Sequence, residues 1–293
     1  MVTSKDLRYL WIGLACWGLA IALGFLMQMD LRYLAMVGVL AALVLIPIAI
    51  IVIAFCKRHY FVGIPLVAIL VLAWILLPPR SYVRDAANRM LAQSKLREAA
   101  IAMHNYHHDH NHMPPPSINA TDGRPLLSWR VIILPYIGQQ ELYREFHLNE
   151  PWDSEHNLKL IPRMPDSYKS VGKVNCPKHH TFIQAFVGPG TILDPQRRIT
   201  LGQITQSRGT SNTLLAAEGG KPVIWTKPED IPFTLENGIG PIGGEFPEGG
   251  VYVGVNIVFA DGSVRSLRPP YPMEALREAV QWQSKKLLEI EWD

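Results

Sequence analysis

Cysteine is scarce in this chain of 293 residues, which holds only three. Cys16 and Cys56 fall within or at the end of apolar segments, and Cys176 stands alone in the remainder. No disulfide can therefore staple that remainder, and its core has to hold by packing. Charge is scarce in a different way. Residues 9–29, 33–56 and 60–79 contain no Asp, Glu, Lys or Arg. A bilayer core about 30 Å thick needs roughly 20 apolar residues at 1.5 Å rise each, and each run is long enough. Linkers as short as Asp30-Leu31-Arg32 and Lys57-Arg58-His59 leave no amphipathic helix to shield the runs from water. The sequence predicts three transmembrane helices over residues 1–80. Lys5 and Arg8 also precede an apolar stretch as in a signal peptide, but that stretch is long and runs almost directly into a second span.

The net charge of +3 belongs to the anchor. Six basic residues (Lys5, Arg8, Arg32, Lys57, Arg58, Arg80) against Asp6 and Asp30 give +4 in residues 1–80, which leaves −1 for residues 81–293. A nucleic-acid-binding domain carries its basic patch on the folded part, so nucleic acid is discounted as a partner. Lys5, Arg8, Lys57 and Arg58 on one side nearly balance Arg32, Arg80, Arg84 and Arg89 on the other. Because charge in front of a large domain counts less than charge on short loops, the expectation is an inside N-terminus and a C-terminal part outside the cytoplasmic membrane. Other signatures are missing. Gly188-Pro189-Gly190 and Gly243-Gly244 do not precede a helix with Lys-Ser/Thr, as a phosphate loop requires. Asp261-Gly262 lacks the spaced acidic residues of a calcium loop, and residues 209–212 lack the context of a hydrolase nucleophile. No cofactor is expected, and the chain is read as non-enzymatic.

What remains is an α+β pattern. From Ser81 to about Asp109 there is no Pro or Gly, and Leu96, Ala100, Met103 and His107 recur on one helical stripe. Asn111 can adopt the left-handed conformation that closes a helix before Pro114-Pro115-Pro116. Residues 129–136 form a short apolar run, and residues 139–146 read as a helical turn or two. Strands are predicted at 181–187, 212–217 and 223–225, with Gly and Pro between the last two. Residues 256–260 and 263–267 flank Asp261-Gly262, which suits a two-residue type I′ hairpin that sets Phe259 opposite Val264. A last helix is predicted over residues 273–288, with Leu276, Ala279, Val280 and Leu287 on one side.

Several blocks carry a resemblance: HNYH at 104–107, GRPLLSWRV at 123–131, LPY at 134–136, QELY at 140–143 and EPWDS at 150–154. Further blocks are GTSNT at 209–213, PVIWTKPED at 222–230 and FADGSVR at 259–265. In order and spacing the chain resembles the DUF1559 family, expanded in planctomycete bacteria, over about residues 88–270. The resemblance implies a pilin- or pseudopilin-like domain, with an N-terminal helix packed on an antiparallel sheet outside the cytoplasmic membrane. Two departures stand out. Many members begin with Gly followed by Phe-Thr-Leu-Ile-Glu at the head of a single span. Here Gly24-Phe25-Leu26 lies inside the first apolar run with no Glu after it. Many also have a His ten residues before the Asp-Gly turn, where this chain has Val251. A three-span anchor cannot leave the membrane as a filament subunit does. The expected role is a fixed membrane module of the bacterial cell envelope, with the lipid bilayer and envelope proteins or polymers as partners.

Two groups of residues are candidates for binding. His104, His107 and His108 are helical neighbours at spacings of three and four, which suits a small imidazole metal site. On that basis an alternative role is a membrane-tethered ligand or metal sensor using the cluster from His104 to His112. Trp225, Lys227 and Glu229 combine an aromatic with both signs of charge and are the candidate recognition edge.

Overall fold

The computed structural model describes residues 80–173, 175–244, 254–285, 290 and 292. The three predicted spans, the Gly24 segment, Val251 and Leu287 lie outside the described residues. Among the described residues no helix is long and apolar enough to cross a membrane.

The predicted helix is present as α1, Arg80–His110. Leu96, Ala100 and Met103 are buried and His107 is half-buried on its C-terminal half, each large side chain stabilising by about 1.5–3 kcal/mol on leaving water. Its earlier turns are different. Met90 and Leu91 are largely exposed. Lys95 is the first buried position among those whose burial is described, with Nζ donating to Asp166 O at 2.6 Å and pairing with Asp166 Oδ2 at 3.1 Å. The helix ends as expected: Asn111 takes φ 60° and its N–H bonds His107 O at 2.8 Å.

After α1 come a two-stranded ribbon, β1 (Ser117–Asn119) with β2 (Pro125–Ser128), and the helices α2 (Trp129–Ile132), α3 (Gln140–Glu145) and α4 (Glu155–Leu158). The main sheet is built from β3 (His180–Val187), β4 (Leu214–Ile224), β5 (Ile231–Thr234), β6 (Gly238–Ile239), β7 (Val255–Phe259) and β8 (Val264–Leu267), in the order β6-β5-β3-β4-β7-β8. Helix α5 (Leu201–Ser207) lies between β3 and β4 in sequence, and α6 (Met273–Val280) follows β8. The class is α+β. Leu276, Ala279 and Val280 of α6 are buried as predicted, but the helix stops at Val280.

Both faces of the sheet are covered. Ile183, Ala185, Leu215, Ala216, Val258 and Ala260 join Leu96 and Met103 of α1 in one buried cluster. Phe186, Leu214, Ala217, Val255, Ile257 and Phe259 join Leu276 and Val280 of α6 in another. All five residues of β7 are accordingly buried, as in a strand with no solvent face.

Three expectations about the sheet need correction. The sheet is not wholly antiparallel, because β3 and β5 pair in parallel with Phe186 beside Ile231. The segments at 212–217 and 223–225 are not two strands. Thr210–Asn212 is a 3₁₀ turn, and one strand, β4, continues from Leu214 through Gly219-Gly220 to Ile224. Those glycines permit close approach and do not break the strand. A Cβ on Gly219 would sit 2.3 Å from Gln184 Nε2, and one on Gly220 2.6 Å from Pro241 Cβ. The hairpin register is also shifted by one residue. Val258 opposes Val264, and Phe259 N–H bonds Ser263 O at 2.9 Å. Only Gly262 has positive φ, 82°. The loop is therefore three residues, Ala260-Asp261-Gly262, closed by Gly262 N–H to Phe259 O at 3.0 Å, a turn followed by a left-handed Gly.

Candidate functional site

One concentrated set of polar groups, around Arg130 and Asp230, is buried inside the domain. Ser128 caps α2, its Oγ accepting from Arg130 N at 3.3 Å. That cap fixes Trp129 and Arg130 at the first turn, where both are fully buried. Arg130 donates to Asp230 Oδ1 at 2.7 Å, Ser128 Oγ at 2.6 Å, Ile183 O at 2.8 Å and Glu229 O at 3.1 Å. Asp230 Oδ1 also accepts from Trp129 Nε1 and Ala185 N, each at 2.9 Å. Burial lifts the Asp230 carboxyl to about 6, against the pull of Arg130 and the Trp129 N–H. A buried pair with this many satisfied groups fixes one arrangement of chain segments more than it adds net stability. The hub ties the SWR block to the PED block, two pieces of sequence 100 residues apart.

A second internal pair joins Lys173 and Glu218 at 3.3 Å. Glu218 Oε2 accepts from Asn256 N at 2.9 Å and Asn256 Nδ2 at 3.1 Å. Ser266 Oγ donates to Asn256 Oδ1 at 2.6 Å and accepts from Gln93 of α1 at 2.8 Å. Burial lowers the Lys173 ammonium and raises the Glu218 carboxyl, and their mutual attraction opposes both shifts. The neutral bonds from Gln93 through Ser266 and Asn256 link α1 to Glu218 on the sheet.

Among the described residues an open groove lies elsewhere. A groove of about 630 Å³ is lined by Tyr106 and His110 of α1, Pro116 and Ser117 to Asn119 at β1, Tyr136, Gln140 and Tyr143 around α3, and Pro195 and Arg198 before α5. Tyr106 stacks on His110 at 4.0 Å between ring centroids and meets Tyr136 edge-on at 5.9 Å. Tyr136 OH donates to Asp109 Oδ2 at 3.0 Å. Burial and the Asp109 carboxylate push the Tyr136 phenol up to about 12. Burial also raises the phenols of Tyr106 and Tyr143. A smaller hollow of about 290 Å³ adjoins the groove and shares Pro116, Ser117, Asn119 and Pro195 as walls.

The five histidines at the end of α1 lie near one another, with the His110 and His112 ring centroids 6.2 Å apart, but they bond different partners. His104 Nε2 donates to Ala260 O at 2.7 Å in the hairpin loop. His107 Nε2 accepts from Leu201 N at 3.1 Å, capping the first turn of α5 alongside the Thr200–Gln203 capping box. Burial, with the neighbouring His104 adding to it, lowers the His107 pKa. The His108 side chain is 89% exposed and bonds only its neighbour Asp109. His110 and His112 bond the backbone at Tyr106 O and Met113 O. Among the described residues no group of three or more His, Cys, Asp or Glu is placed to hold a metal ion. Helical spacing brought the rings to one end of the helix, but one nitrogen of each is bonded to a different partner.

The expected recognition edge also resolves differently. Trp225 is fully buried, donates from Nε1 to Ile161 O at 2.9 Å, and packs on Tyr168 and Phe146. It cannot meet a partner, because its position late in β4 turns the ring into the core. Lys227 and Glu229 do reach the surface, where they pair with each other at 2.5 Å and Lys227 lies over the Trp152 ring. The groove residues escaped single-residue scrutiny, although HNYH, LPY and QELY each contribute one tyrosine to it. That recurrence was the available signal. Arg198 had none.

A long helix against a mixed six-stranded sheet, with an open aromatic groove at one end of the helix, defines an α+β domain. The family model described as "Protein of unknown function (DUF1559)" matches residues 81–199, which supports the family for that stretch. No curated protein and no solved structure matches the chain.

Proposed function

We propose that the chain is a membrane-anchored, non-enzymatic module with pilin-like architecture that holds a ligand or partner in the bacterial cell envelope. The carrying observation is a division of labour among polar groups. Arg130 with Asp230 and Lys173 with Glu218 are enclosed as structural pairs, whereas the groove from Tyr106 to Arg198 is open and aromatic. Open pockets with a few convergent polar groups are the default place for recognition. The anchor reading is supported by the three uncharged runs at 9–29, 33–56 and 60–79. The run of helix α1 from Arg80 is consistent with a domain that starts directly after the third of them.

Alkaline carbonate extraction of cells expressing the full-length chain, followed by protease treatment of intact spheroplasts, tests the reading. The chain stays with the membrane pellet, and added protease removes the part beyond residue 80. Release by carbonate, or full protection from protease, overturns the anchored envelope module.

A further inference from the structure

The groove has an unusual balance of groups. Arg198 is exposed and, among the described residues, makes no hydrogen bond or ion pair. The hydroxyls of Tyr106 and Tyr143 have no hydrogen-bond partner among the described residues either, although Tyr106 is only 8% exposed. The three groups act on one another: the Arg198 charge favours the ionised form of the Tyr106 phenol, while Tyr143 disfavours it. No Asp or Glu lines the groove, and Asp109 beside Tyr136 is already bonded to the Tyr136 hydroxyl. The site is therefore rich in donors, carries a guanidinium, and lacks its own acceptor charge. It is complementary to a carboxylate.

The walls say what the carboxylate is attached to. Half-buried Tyr136 and Tyr143 present ring surface, and Asn119 and Gln140 add side-chain amides that both donate and accept. Rings for C–H faces and amides for paired hydroxyls suit a sugar better than a wholly apolar body. The adjoining hollow shares Ser117 and Asn119 with the groove and adds about 290 Å³ beside it, room for a further unit; Asp230 borders it but is held by Arg130 and Trp129.

Building on the binding-module reading, we propose that this groove binds a carboxylated sugar chain, a uronate-containing polysaccharide, with the uronate carboxylate on Arg198 and the hydroxyls of Tyr106 and Tyr143. The sugar ring lies against Tyr136 and Tyr143. Asn119 and Gln140 bond its hydroxyls.

Calorimetric titration of the full-length chain in detergent with oligogalacturonate, its uncharged galactose counterpart and oligoglutamate tests this. Oligogalacturonate binds, and the neutral sugar and the acidic peptide each bind at least about tenfold more weakly. Arg198→Ala weakens uronate binding about tenfold, the loss of one charge-assisted contact, and Arg198→Lys restores part of it. Tyr143→Ala weakens both sugars. Because Arg198 is exposed, unchanged thermal melting of Arg198→Ala separates a binding loss from misfolding. Equal binding of acidic and neutral sugars, equal binding of oligoglutamate, or an unaltered Arg198→Ala overturns the proposal. If oligogalacturonate fails but another envelope polymer binds and is lost in Tyr143→Ala, the sugar assignment falls while the binding module stands.

Discussion

Arg130 and Arg198 carry the same charge and are put to opposite uses. Arg130 is fully buried, and its donors are taken by Asp230, Ser128 Oγ and the carbonyls of Ile183 and Glu229. Arg198 stands at the rim of an open groove with none of its donors taken among the described residues. The difference shows how to tell a structural cation from a binding one in a chain whose motifs name neither. The sealed one has bonds in excess of its charge, and the open one has charge in excess of its bonds.

The comparison can be broken most severely at the buried end. Asp230→Ala leaves Arg130 as an uncompensated buried charge and should cost about 3–5 kcal/mol, read as a fall in the denaturant midpoint. Replacing both partners, Arg130→Met with Asp230→Leu, should recover only part of that loss. Trp129 Nε1 and Ala185 N would still be orphaned, at about 1–3 kcal/mol each.

Gly219→Ala comes next, at about 1–3 kcal/mol. Its new Cβ would strike the buried Gln184 side chain, whose Nε2 is held by Lys221 O at 2.6 Å. A melting curve as stable as that of the parent would show that Gln184 can move aside. His107→Ala removes a cap from α5 and should cost about 1 kcal/mol. His107 also sets a pH dependence. Its folded pKa is depressed, so the unfolded chain binds the proton more readily. The stabilisation is present above the ordinary imidazole range and is lost as pH falls through and below it. Thermal melts from pH 7 to pH 5 should slope less steeply in His107→Ala than in the parent.

Smaller effects sharpen the groove side. The Tyr136 phenol, raised to about 12, contributes stability that is present below the ordinary tyrosine range and lost as pH rises through about 12. A phenolate absorbance titration should lose the step near pH 12 in Tyr136→Phe, while the more deeply buried Tyr168 still titrates later. Arg198→Ala, the counterpart of Asp230→Ala, should change stability by no more than about 0.5 kcal/mol. A large loss of stability there would erase the contrast between the two arginines.

Features with a local period could be read along the chain, and those decided by distant contacts could not. Leu96, Ala100 and Met103 marked the buried face of α1, and Asn111 its end, because spacing and backbone preference act within a few residues. Leu276, Ala279 and Val280 marked α6 in the same way. The continuity of β4 was hidden because Gly219 resembles a break until Gln184 is seen beside it. The hairpin register depended on whether Ala260 joined the loop, which Asp261-Gly262 alone does not decide. In the site, helical spacing correctly placed the histidines near one another. It could not show that Ala260 O and Leu201 N, 156 and 94 residues away, occupy two of them. Trp225 was singled out for its chemistry and lost to its burial. The tyrosines of the groove were visible only as members of separate blocks, since the fold alone assembles them.

The narrow outer strand β6 has a consequence for how such domains share a surface. It offers two residues at the margin of the sheet, and its neighbour β5 contains Pro232, which has no N–H to donate. A second copy arriving edge to edge meets almost no ladder along that margin. Many copies can crowd side by side without zipping into a continuous sheet, and self-association by strand addition is discouraged there.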